Sequence, residues 1–171
     1  MEVTSNVLLV YSSRYGAAEQ YARWLAGMRD VDMMEAREAT LTQLRPYDTI
    51  IWMGGVYNGE LDGLSGLEKV YGKLRDTRVA VFAVGMAPEE AVTFSLPGTL
   101  DGVAFYYGRG RLDKGALGAQ DRLMLTMQQM AAEKKPGSVP AWMNELFEVD
   151  EPLDYMDPLY LEPVLDFMMG R

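Results

Sequence analysis

The stretch Val7-Leu8-Leu9-Val10-Tyr11-Ser12-Ser13-Arg14-Tyr15-Gly16-Ala17-Ala18-Glu19 decides the fold. It opens with four consecutive apolar residues, Val7 to Val10, which suit a central strand covered on both faces. Ser12, Ser13 and Gly16 then make a tight strand-to-helix turn. Such a turn aims free backbone N–H groups, hydroxyls and the positive end of a helix dipole at one point, the arrangement an anionic phosphate needs. On this stretch alone an ordinary βα turn without a ligand reads equally well.

Working outward, the chain of 171 residues has the length of one compact domain, and a single domain over 1–171 is expected. Hydrophobic residues make up 49%, which fits a folded globular protein. There is no cysteine and no histidine. This excludes disulfides, thiolate metal sites, cysteine nucleophiles and a Ser-His-Asp triad. No residue is nominated as catalytic or as a metal ligand, so any chemistry is expected to come from a bound cofactor. The net charge of −9 disfavours a nucleic-acid partner, which requires clustered Lys and Arg. No apolar run approaches the ~20 residues that span a bilayer. The start, Met1-Glu2-Val3-Thr4, lacks the basic flank and apolar core of a signal peptide, so the expected location is cytoplasmic.

A helix is expected from Gly16 to Met28, with Tyr21, Trp24, Leu25 and Met28 on its buried stripe. Val31 to Arg37 reads as an edge strand, and Leu41 to Leu44 as a short turn or helix closed by Pro46. Tyr47 to Met53 is a clear strand leading into Gly54-Gly55-Val56-Tyr57-Asn58-Gly59, a loop in which glycines admit positive φ and close approach of a planar ligand. A helix over 64–74 follows. The strand Val79 to Val84 then ends in a third loop, Gly85-Met86-Ala87-Pro88. Val103 to Tyr107 reads as the fifth strand. Gly108-Arg109-Gly110-Arg111 reads as a solvated basic loop pairing with the acidic surface, the alternative being that Arg109 and Arg111 meet an anionic substrate, a propionate or a second phosphate. A long helix from Ala116 to Lys134 puts Leu117, Leu123, Met124, Met127, Met130 and Ala131 on one side, read as core. Pro136 to Tyr155 is a surface excursion with a short helix at 141–147, and 158–169 is the closing helix. Trp24 and Trp52 are expected in the core.

Strands alternating with helices mean βαβ units and a parallel sheet. Five of them predict an α/β doubly wound sheet of order 2-1-3-4-5 with helices on both faces. Ligands bind such sheets beyond the carboxyl ends of the strands, at the switch point between the first and third. The glycine loops after Val10, Met53 and Val84 all gather at that edge, and this arrangement points to a flavin site.

The combination resembles the flavodoxin family, and more narrowly the bacterial flavodoxin-domain proteins related to the flavodoxin-type protoporphyrinogen oxidase. The likeness lies in Tyr11 to Gly16, Gly54 to Gly59, Phe82 to Met86, Phe105 to Asp113 and Asp121-Arg122-Leu123-Met124. It implies FMN as cofactor and electron transfer as activity. Ser12, Ser13, Arg14, Tyr15, Gly16 and Ala17 would wrap the phosphate. Gly55, Val56, Tyr57, Asn58 and Gly59 would flank the flavin ring, with Tyr57 or Asn58 near it, and Gly85, Met86 and Ala87 would cover its other side. The family's phosphate loop usually ends in Thr, and Ala18 stands in that place here. The missing hydroxyl is worth about 0.5–1.5 kcal/mol for a neutral acceptor and about 1.5–3 kcal/mol for a charged one. Backbone N–H groups and the Arg14 guanidinium offset it. The resemblance implies a redox protein partner or a small-molecule substrate, and either a pure carrier or an FMN-dependent oxidoreductase. The alternative is a flavodoxin-like fold that holds no flavin and serves as a protein-interaction module.

Overall fold

The computed structural model describes residues 6–170, so the expectation about the first four residues lies outside the described part. The chain runs through β1 (Val7–Ser12), α1 (Ala17–Met28), β2 (Asp32–Glu35), α2 (Leu41–Leu44), β3 (Thr49–Tyr57), β4 (Glu60–Leu61) and α3 (Leu64–Val70). It continues with β5 (Arg78–Gly85), β6 (Ala104–Arg109), β7 (Arg111–Leu112), α4 (Ala119–Lys134), α5 (Met143–Glu148), β8 (Leu153–Asp154) and α6 (Glu162–Met168). The main sheet has the order β2-β1-β3-β5-β6, with β4 paired to the end of β3. With the short hairpin strand set aside, this is the expected 2-1-3-4-5 order, and all four of its strand pairs are parallel.

The apolar runs form central strands because both faces of the sheet are covered. Alternate residues divide between two cores, following the period of two in a strand. Val7, Leu9, Ile51, Met53, Ala80, Phe82 and Val84 face α1 and α6 and pack on Tyr21, Leu25, Leu161 and Val164. Leu8, Val10, Ile50, Trp52, Val79, Val81 and Ala83 face the other way, onto Leu44, Leu64, Leu67, Leu74 and Leu100. Trp52 is buried as expected, whereas Trp24 is only partly buried and Met28 is exposed at the end of its helix.

Several elements differ from expectation. The segment after Met53 is a strand, not a loop: β3 continues through Gly54 and Gly55 to Tyr57 and turns back into β4. The turn residues Asn58 and Gly59 have φ of 51° and 80°, the pair of left-handed residues that a tight two-residue hairpin requires. The basic segment is not a solvated loop either, because β6 extends to Arg109 and Arg111 begins β7. A Cβ on Gly108 would lie 2.6 Å from the Phe82 ring, so glycine serves close packing there. The helix over 64–74 ends at Val70 and tightens into a 3₁₀ turn over Tyr71–Lys73. The closing helix is likewise 3₁₀ over Pro158–Leu161 before α6.

The largest departure is α4. It begins at Ala119 rather than Ala116, and none of its residues is buried. Leu123, Met127 and Met130 are 60%, 55% and 51% exposed. Their spacing is helical, but the chain leaves the main sheet after β6, and β7 and β8 bracket an excursion outside it. The two short strands pair antiparallel and close the base of this excursion. The sheet faces are already covered by other segments, so α4 has no core to enter.

Candidate functional site

The sheet register aligns the three strand ends. Ser12 lies beside Gly54, Gly54 beside Ala83, and Gly55 beside Val84. The segments that follow these residues therefore emerge at one edge, on either side of the β1/β3 switch point.

At the first of them, Gly16 adopts φ 92° and N-caps α1. Its backbone N–H donates to Ser13 Oγ at 3.0 Å, which tightens the turn. Ala18 is buried in the core beneath α1, so its methyl group packs against the sheet. Arg14 is paired with two carboxylates. It donates to both oxygens of Asp121 at 2.9 and 3.1 Å and to Asp62 at 3.1 Å. Its guanidinium also lies 4.1 Å from the centre of the Tyr57 ring. Tyr15 completes the cluster: its hydroxyl donates to Asp121, and it accepts from the Gly118 backbone N–H at 3.1 Å.

Tyr57 lies across Gly55, where a Cβ would come within 2.7 Å of the ring. It meets Tyr15 edge-on at 6.1 Å. Burial pushes the Tyr57 hydroxyl up to about 12. One face of Tyr57 is thus covered by Arg14 rather than free. The third segment is pinned by β6. Tyr107 donates its hydroxyl to the Ala87 carbonyl at 2.7 Å, and Arg109 Nη2 donates to the Met86 carbonyl at 2.8 Å. Arg109 stacks 3.7 Å over the Tyr155 ring, and its buried Nε has no hydrogen-bond partner among the described residues.

The nominated residues 12–17, 55–59 and 85–87 are thus carried to one sheet edge. The sequence does not reveal Asp62 and Asp121 as partners of Arg14, nor Tyr107 and Arg109 as supports of the third segment, while Arg111 stands in it only as the alternative to a solvated loop. Arg111 Nη2 sits 2.9 Å from where a Cβ on Gly16 would be. The one available signal was the pair of arginines directly after the fifth strand.

The Tyr15 hydroxyl, assisted by Arg14, holds the Asp121 carboxyl below its ordinary value of 3.8. A depressed carboxyl contributes stability above that value and loses it as pH falls through the folded-state pKa. Asp121→Asn is therefore expected to cost about 1 kcal/mol at neutral pH. The gap from wild type, read as thermal midpoints, should close in acid below 3.8. A gap that stays constant across that range would show that the Asp121 charge does not hold the clasp.

A family model described as a flavodoxin domain matches residues 8–138. The chain belongs to the flavodoxin-domain family. A search of curated proteins finds no match. Among solved structures, the two-electron reduced flavodoxin of Megasphaera elsdenii is 19% identical, with 59% of this chain and 82% of that one covered and a TM-score of 0.47. A WrbA-like flavodoxin from Agrobacterium tumefaciens is 15% identical, covering 77% of this chain and all 100% of its own, with a TM-score of 0.49. A Lactobacillus acidophilus flavoprotein solved in complex with FMN is 13% identical, covering 62% and 93%, with a TM-score of 0.42. No described helix of this flavodoxin-domain protein is long and apolar enough to cross a membrane.

Proposed function

We propose that this flavodoxin-domain protein binds one FMN non-covalently at the β1/β3 edge and moves electrons between the flavin and a partner. The observation that carries this reading is the register that brings Ser12, Gly54 and Ala83 side by side. The phosphate end fits the group: a left-handed glycine opens a helix of 12 residues, and the bulk a side chain would add at position 16 is absent. Ser12, Ser13 and the backbone of 14–17 bind the phosphate. Tyr57, Asn58 and the 85–87 segment, held by Tyr107 and Arg109, orient the ring and exclude water from it. Bound flavin supplies reversible electron transfer, and the protein supplies binding and electrostatics.

The likeness of Phe105 to Asp113 to the flavodoxin-type protoporphyrinogen oxidase supports a version of this reading with a small-molecule substrate. The exposed stripe of Leu123, Met127 and Met130 supports a version with a protein partner, and equally a flavin-free interaction module. Fluorescence titration of FMN with the purified protein separates flavin binding from the last of these. The expected result is saturable quenching at one FMN per chain. Unquenched flavin at high micromolar concentration would leave the interaction module as the reading.

A further inference from the structure

The phosphate loop lies next to two arginines, and the structure gives them different tasks. Arg14, the one inside the loop, has its guanidinium bound by Asp62 and Asp121 and laid against Tyr57. An incoming anion would meet two carboxylates already paired with that guanidinium. Arg111 opens β7, just beyond the end of β6; it is exposed, and its side chain forms no hydrogen bond or ion pair among the described residues. Its nearest acidic neighbours in sequence and across the β7–β8 ladder are turned to backbone amides. Asp113 accepts from the Gly115 N–H at 3.0 Å, and Asp154 accepts from the Met156 N–H at 2.9 Å.

The Arg111 backbone is held in place. It pairs with Asp154 in the β7–β8 ladder, and the preceding Gly110 donates to the Gly85 carbonyl at 2.8 Å and accepts from the Tyr155 N–H at 3.0 Å. The guanidinium reaches Gly16 because that residue has no side chain. The cavity beside Arg111, lined by Leu112, Asp113, Leu153 and Asp154, carries two carboxylates, so the anion is placed on the Gly16 side of the guanidinium.

Resting on the FMN reading above, we infer that Arg111 is the residue that selects a phosphate ester over the same molecule without its phosphate, and that Arg14 is a structural clamp. A planar guanidinium matches phosphate oxygens with paired N–H donors, and such charge-assisted bonds exceed neutral ones.

Dissociation constants for FMN and for riboflavin, measured on wild type, Arg111→Gln and Arg111→Lys, test the inference. Arg111→Gln should weaken FMN binding about 10- to 100-fold. Riboflavin binding should hold within about threefold, since that ligand has no charge for Arg111 to meet. It doubles as the check that the variant folds. Arg111→Lys should fall between, retaining the charge but not the paired geometry. An FMN-to-riboflavin ratio unchanged in Arg111→Gln overturns the inference while leaving FMN binding intact. Wild-type protein that binds neither flavin overturns the FMN reading, and this inference with it.

Discussion

Gly16→Asp is expected to weaken FMN binding at least about 100-fold while leaving the far-ultraviolet circular dichroism of the protein unchanged. The new carboxylate would stand where the phosphate is proposed to bind. Like charges about 4 Å apart repel by about 4 kcal/mol at the effective dielectric of a protein surface. The substituted Cβ would fall 2.9 Å from Arg111 Nη2, so the carboxylate would also pair with the guanidinium that the phosphate needs. The backbone cost is smaller: φ of 92° charges a non-glycine residue about 1–2 kcal/mol, and Asp tolerates the left-handed region better than most. Gly16→Ala is the control. It carries a similar backbone cost and also shifts the Arg111 guanidinium, but adds no carboxylate, and should lose less FMN affinity than Gly16→Asp. Equal affinity in wild type and Gly16→Asp would remove the first loop from the site.

Trp52→Ala is expected to destabilise the protein by about 3–5 kcal/mol, read as a drop in the urea midpoint. The indole is fully buried in the core beneath α3. Its Nε1 donates to the Gly63 carbonyl at 3.1 Å, and its ring lies 3.3 Å from where a Cβ on Gly66 would be. Gly63 is left-handed at φ 81°, and a Cβ there would meet Ser12 at 2.8 Å. The indole therefore fixes the turn that follows Asp62, one of the two carboxylates on Arg14, and loosening it should reach the phosphate loop. Trp52→Phe keeps most of the volume and loses the hydrogen bond, for an expected cost of about 1–2 kcal/mol. A loss below 1 kcal/mol in Trp52→Ala would mean that the indole does not join β3 to α3.

The sheet is legible in the sequence because Val7–Val10, Ile50–Met53 and Val79–Val84 are continuous apolar runs, which few environments other than a twice-covered strand accommodate. The glycines were harder to read. Gly54, Gly55 and Gly108 look like loop residues in isolation, yet all three lie inside strands. They are glycine because Asp62 O, the Tyr57 ring and the Phe82 ring come too close for a side chain. Nothing local in a sequence distinguishes a glycine needed for φ from one needed for space. The same limit applies to α4, whose Leu123, Met127 and Met130 recur every three or four residues whether or not a core lies beneath them. Arg14 was nominated for the phosphate on its position in the loop. Its partners Asp62 and Asp121 lie 48 and 107 residues away, a pairing that only the folded chain reveals.

The proposed site occupies one edge of one sheet, and amide chemical-shift mapping of the isotope-labelled protein during FMN addition tests that edge directly. The predicted result is saturable shifts in the amides of Ser13 to Ala17, Val56 to Gly59 and Gly85 to Ala87, with Leu123, Met127 and Met130 undisturbed. Shifts confined to α4, or none at saturating FMN, would contradict it.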